Sequence, residues 1–213
     1  MTATILPQEF FDRPVLEVCK DLLGKFIVKR ETEDVKRETR NGKRNWSAVS
    51  RSSWTIERAF MITEIEAYDG MEDEACHARF GKTERNAPMF GKPWQWYVYL
   101  CYGMYRMLNI VTGPGTHPSA ILIRGAEWIT DNGKRTPRTV NRLPLSVKLN
   151  WPGKLTKHLW ITKIYNGKPA NKKTGLWIED RWVMITKVTQ KPRVGIDYAG
   201  KWAKKKRRFV IKQ

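Results

Sequence analysis

Between Phe60 and Glu127 the chain carries three runs that read as strands, with turn signals between them. FMITEIEAY (60–68) alternates apolar and polar residues and stops at Asp69-Gly70. Strand alternation would turn Ile62, Glu64, Glu66 and Tyr68 to one face and Met61, Thr63, Ile65 and Ala67 to the other. WYVYLCYGMYRMLNI (96–110) is rich in aromatic and branched residues and reads as two strands joined near Gly103. AILIRGAE (120–127) reads as a buried strand that ends in charge. This stretch constrains the fold most, and it also concentrates residues able to do chemistry: two glutamates inside a strand, a histidine, several tyrosines and an arginine.

The flanking sequence is sparser. Glu9–Leu23 has apolar residues at helical spacing and Gly24 as a stop. GKFIVKR then turns strand-like, and residues 31–58 are a polar, mixed-charge stretch with a turn signal at NGKR, read as an extended or mobile β-connection, with disorder as the alternative. EDEACHARF could start a short helix, its acids favoured by the dipole. A second short helix is expected after Pro152, and the tail alternates turns with the strands LWIED, RWVMITKV and RFVIK. There are no repeats. The 213 residues suffice for one core, and one domain spanning 1–213 is expected.

Charge narrows the function. Lys and Arg number 40 against 21 acids, and from Trp151 onward the chain has 17 basic and 3 acidic residues, +14 of the total +19. A basic half of this kind attracts phosphate backbones, and the 10 Trp and 7 Tyr interleaved with the charge along the whole chain suit unstacked bases. A merely soluble basic surface is the plainer alternative. No apolar run approaches the roughly 18 residues of a membrane-spanning helix, and no basic leader precedes an apolar segment, so no membrane anchor or signal peptide is expected. Cys19, Cys76 and Cys101 form no metal-ligand spacing and fit an intracellular, reducing compartment. The acids of 64–74 lack the Gly-centred calcium spacing and read as a solvated helix start. No metal and no cofactor are expected.

The pieces EIEAYDGMEDEACHAR, RNAPMFGKP, YVYLCYGMYRMLNI, AILIRGAE and WPGKLT resemble the alkyladenine (3-methyladenine) DNA glycosylase family, and the likeness runs from about Phe10 to Phe209. It implies an α+β fold: one mixed domain with a curved, largely antiparallel β-sheet flanked by short helices. The chain departs from the family pattern at Glu84, where Pro is expected, and at Trp94 and Trp151, where Gly is usual.

The resemblance also implies roles. Glu66 falls on the water-activating glutamate; on pattern alone it reads as a surface acid of a strand. Tyr68, His77 and Tyr99 fall on positions lining a base pocket, Asn109 on a position that disfavours guanine through its exocyclic amino group, and Tyr102 on the residue that wedges into the duplex. Arg124 would sit at a strand end near Glu66, holding the water and keeping the carboxylate charged, or else form a structural ion pair. Electron-rich rings around a cationic alkylated base add about 0.5–2 kcal/mol per contact.

The implied activity is that of a monofunctional glycosylase in base excision repair, acting as a monomer on double-stranded DNA containing damaged purines. No lysine is assigned to a Schiff base. A non-catalytic nucleic-acid-binding protein using the same surface, or a hydrolase of RNA or free nucleosides, remain the alternatives.

Overall fold

A computed structural model describes residues 2–34, 53–128 and 147–212. Two short helices come first, α1 (Gln8–Phe11) and α2 (Val15–Leu22). The single helix expected over Glu9–Leu23 is divided because Pro14, at the N-cap of α2, has no N–H to continue a helix. β1 (Thr4–Ile5) precedes them, and β2 (Phe26–Asp34) and β3 (Ser53–Asp69) follow as an antiparallel pair in unbroken register from Phe26↔Met61 to Asp34↔Ser53. Both strands therefore run into the polar stretch that the sequence suggested was a connection. The rest of that connection, 35–52, lies outside the described residues.

β4 (Trp96–Cys101), β5 (Tyr105–Thr112) and β6 (Ser119–Glu127) continue the sheet, joined later by β7 (Lys148–Leu149), β8 (Leu176–Asp180), β9 (Val188–Lys191) and β10 (Arg208–Ile211). The spatial order is β1-β8-β2-β3-β6-β5-β4, with β10 on β3 beyond the end of β2, and every pairing is antiparallel. With few and short helices and an open antiparallel sheet, the fold is mixed α+β. The third helix, α3 (Pro152–His158), forms where it was expected. RWVMITKV yields only the start of β9; 181–187 is irregular. No helix among the described residues is long and apolar enough to cross a membrane.

The main core lies on the face covered by α1–α3, and includes Phe11, Val18, Leu22, Phe60, Ile62, Ile65, Leu108, Ile121, Ile123 and Leu155. Ile62 and Ile65 both belong to it, which simple alternation forbids. The cause is a double interruption of the β3–β6 register: Ile62↔Ala126 is followed by Glu64↔Gly125 and then by Ile65↔Ile123. Thr63 on β3 and Arg124 on β6 are each one residue too many for the opposite strand. Such bulges re-aim side chains next to functional sites. The expectation that Ile62 shares a face with Glu64, Glu66 and Tyr68 is thus corrected: Ile62 enters the core, and the three downstream residues emerge on the other face.

Candidate active site

On that face a cavity of about 440 Å³ opens, within the size range of small-molecule sites. Tyr68 of β3, Ala120, Leu122 and Arg124 of β6, Met107 and Asn109 of β5, and Tyr97 and Tyr99 of β4 form its sheet side. His77, Arg85, Met89, Trp151, Tyr198 and the segment Val194–Ile196 are among its other walls. Tyr68, Tyr97 and Tyr99 pack with Cys76, Ala78 and Met89 in a small second core, so the rings are fixed by packing.

Glu66 is fully buried immediately behind this cavity. Its Oε1 accepts the Val194 backbone N–H (2.8 Å), and its Oε2 accepts the Tyr68 hydroxyl (3.0 Å) and lies 3.4 Å from Arg124 Nη1. All three partners line the cavity. Arg124 Nε also donates to Glu64 Oε1 (3.1 Å), so one guanidinium spans two carboxylates. Burial pushes the Glu66 carboxyl above its ordinary range, opposed by the Arg124 cation, the Val194 N–H and the Tyr68 hydroxyl. Burial beside Glu66 also raises Tyr68, which keeps its phenol protonated as the donor.

His77 follows a 3-10 turn N-cap at Cys76, and its Nδ1 shares a hydrogen bond with the Tyr97 hydroxyl (2.8 Å). Its ring meets Tyr99 edge-on at 4.6 Å. Burial, with Arg85 and Arg79 nearby, lowers its pKa to about 4, so the imidazole is neutral at physiological pH. Asn109 Nδ2 donates to the backbone carbonyls of Tyr97 (3.0 Å) and Met107 (3.4 Å). Only an NH₂ can face two carbonyls, so the amide oxygen is what Asn109 has left to offer the cavity.

Tyr102 stands at the tip of the β4–β5 hairpin, 85% exposed. Tyr102 (φ 50°) and Gly103 (φ 69°) both take positive φ, and the Met104 N–H closes on the Cys101 carbonyl (3.1 Å). Glycine adopts this backbone freely; a tyrosine does so under strain, which is characteristic of functional loops.

A family model for methylpurine-DNA glycosylase (MPG) matches residues 48–213. The chain belongs to the methylpurine-DNA glycosylase family. A provisionally named 3-methyladenine DNA glycosylase from Methanocella arvoryzae is 38% identical over 208 residues, 98% of this chain and 92% of its own length. One from Psychrobacter cryohalolentis is 36% identical over 94% of this chain and 88% of its own. A DNA-3-methyladenine glycosylase from Arabidopsis thaliana is 36% identical over 92% of this chain and 66% of its own. As a family member the chain is an enzyme, a hydrolase of the DNA N-glycosylase class.

Within this glycosylase, Glu66, Tyr68, His77, Tyr99, Asn109 and Arg124 converge on one cavity, and Tyr102 lies on its rim. Arg124 is not at a strand end, as the sequence suggested; it lies inside β6, turned towards the glutamates by its bulge. The acids of 64–74 are not a solvated helix start either. Asp73 is fully buried, Glu64, Glu66, Asp69 and Asp73 all have arginine partners, and only a 3-10 turn over His77–Phe80 follows. Among the described residues no group of three or more His, Cys, Asp or Glu is placed to hold a metal. In the basic tail, Arg207 is turned inward to Asp69 (2.8 Å), while Lys204 and Lys206 stay exposed.

Sequence reasoning missed three contributors to the site. Tyr97 lines the cavity and holds His77. Val194 binds Glu66 through its backbone, which no side-chain motif can announce. Arg193 is fully buried against Asp73, and Pro192 and Gly195 around it suggested only a turn. Trp151 sits at the rim with Tyr105 edge-on at 4.4 Å. Trp94 has φ 73°, the left-handed backbone that glycine adopts without strain.

Proposed function

We propose that the cavity receives one alkylated purine extruded from duplex DNA, and that Glu66 activates the water that releases it. The observation that carries this reading is the Glu66 carboxylate. It is fully buried, raised in pKa, and separated from an aromatic cavity only by groups that bind it. A strand acid with merely a structural role has no need of such an enclosure, because burying a carboxylate is costly. Perturbed carboxylates beside a cleft are the usual signature of acid–base chemistry.

The steps follow from the residues present. An enzyme acting on a base inside a duplex must first take it out of the stack. Tyr102, exposed at a strained hairpin tip, enters the space the nucleotide leaves. The base is held among Tyr68, Tyr99 and His77, and a cationic ring gains from these π-faces. Neutral His77 adds no charge to repel it. Asn109 contacts the base edge and helps select among purines. A water entering between Tyr68, Arg124 and Val194 reaches Glu66, which takes its proton as the oxygen attacks C1′. The C1′–N bond breaks, its electron pair neutralises the alkylated base, and an abasic site remains. The charge of Glu66 also favours the oxocarbenium-like sugar, and Arg124 keeps the carboxylate oriented. A neutral base such as hypoxanthine needs protonation as it departs, so cationic purines are the preferred substrates. No lysine lines the cavity among the described residues, which agrees with release by water rather than through a Schiff base. The enzyme acts as a monomer in base excision repair.

The test is Glu66→Gln on duplexes bearing N3- or N7-methylated purines. Abasic-site formation collapses while duplex binding persists. If the wild type binds such duplexes and releases no base, the protein is a binding module and the reading fails.

A further inference from the structure

Beside the cavity, two exposed rings are arranged around a cation. Phe80, the last residue of the 3-10 turn that begins with His77, is 83% exposed. Tyr198 lines the cavity and is 62% exposed. Arg79 joins them: its Cζ lies 4.4 Å from the Phe80 ring centroid and 5.3 Å from that of Tyr198. Arg79 Nη1 also donates to the Glu74 carbonyl, which ties the guanidinium to the backbone. Phe80 belongs to none of the buried clusters, so its exposure gives nothing to the core. Three flat groups, one of them cationic, are thus displayed together in water.

Rings alternating with cations hold unstacked bases, because every base has a π-face and every nucleotide a phosphate. Position selects the ligand. Tyr198 is shared between this cluster and the cavity, so a chain whose extruded nucleotide fills the cavity passes the cluster with its neighbours. The geometry points to Phe80, Arg79 and Tyr198 as a second stacking platform, which takes an unpaired nucleobase adjacent to the extruded one. The platform is separate from the hairpin tip that carries Tyr102. This rests on the proposed function, since the ligand is DNA already opened by extrusion. It predicts an enzyme that favours lesions whose neighbouring pair is melted or mismatched.

The probe is a duplex with a stable abasic analogue at the lesion position, made with its flanking pair either matched or mismatched. Fluorescence anisotropy gives affinities, and 2-aminopurine at the flanking position reports stacking. The wild type binds the mismatched duplex more tightly and quenches 2-aminopurine. Phe80→Ala loses roughly five- to a hundredfold of affinity for the mismatched duplex, much less for the matched one, and restores the emission. Phe80→Tyr keeps both properties and Phe80→Leu loses them, which separates stacking from mere apolar contact. Because Phe80 is outside the core, all three variants fold, as circular dichroism will confirm. Equal affinity of the wild type and Phe80→Ala for the mismatched duplex overturns the platform, and so does equal behaviour of the Leu and Tyr variants. Base release from alkylated DNA is measured separately: its absence in the wild type overturns the proposed function, whatever the affinities.

Discussion

Arg193 grips Asp73 through two hydrogen bonds, 2.6 and 2.8 Å, with neither side chain open to solvent. The same guanidinium donates to the Ala67 carbonyl (2.8 Å) and lies 4.8 Å from the centroid of the Tyr68 ring. One residue later, the Val194 N–H meets Glu66. The ion pair therefore pins the distal chain segment to β3 at the place where the carboxylate is held.

Removing one partner of this pair leaves the other as an uncompensated buried charge. Arg193→Met or Asp73→Asn is expected to cost about 3–5 kcal/mol, measured by urea unfolding. Joint replacement by apolar residues of similar volume should recover most of that loss without recovering base release, because Val194 and Tyr68 lose their anchor. A loss below about 1 kcal/mol in either single variant would contradict the pair's structural role.

Glu66→Gln should abolish base release, by a factor of about 10² or more, yet leave the fold no less stable at neutral pH. The sign follows from the raised pKa: folding disfavours the ionised carboxyl, so at pH 7 the charge is a cost that a neutral amide avoids. The amide oxygen can replace only one carboxylate oxygen, so it accepts from the Val194 N–H while the NH₂ lies towards the Tyr68 hydroxyl, which can turn to accept. A lowered melting temperature for this variant would refute the argument.

Glu66 and His77 contribute to the response to acid in different ways. The rate of base release, corrected for spontaneous depurination, should fall as pH drops, with a midpoint above 4.5, the ordinary glutamate value from which Glu66 is raised. Stability should decline over a different window. His77 is held neutral, so the stability its depressed pKa supplies is complete above pH 6.5 and is lost as pH falls from there to about 4. His77→Gln should flatten that part of the stability curve and leave the kinetic midpoint in place.

Tyr102→Gly relieves a left-handed tyrosine and should stabilise the hairpin by up to about 1 kcal/mol. Release of a base from duplex DNA should nonetheless fall roughly tenfold or more, given the 1–3 kcal/mol typical of base–aromatic stacking. On single-stranded substrate, where no gap needs filling, the deficit should shrink. Equal deficits on both substrates would remove Tyr102 from the extrusion step.

Much of the fold was readable because its signals are local. Gly103 between two aromatic runs marks the hairpin, Pro152 opens α3, and Glu66, Tyr68, His77 and Tyr99 stand in a motif close together in the chain. What escaped depends on distant partners. Pairing of Ile62 with Ala126 but Ile65 with Ile123 is a property of two strands, and neither strand alone shows the extra residue. Val194 and Arg193 reach Glu66 and Asp73 across more than 100 residues of chain. Pro14 is the exception: its break in the first helix is a local signal that apolar spacing outweighed.

The paired irregularity at Thr63 and Arg124 divides β3 into two stretches under different pressures. Upstream, substitutions at Phe60 or Ile62 disturb the side chains of the main core and will be felt as melting temperature; downstream, changes at Glu64, Glu66 or Tyr68 will be felt as turnover. Deleting Thr63 alone would leave Ile62 and Ile65 two positions apart and both inward, as plain alternation allows, but would leave Arg124 an unmatched extra residue on β6, its guanidinium no longer set opposite the glutamates. Length at this point is therefore as much a determinant of activity as the identity of any ligand-facing residue.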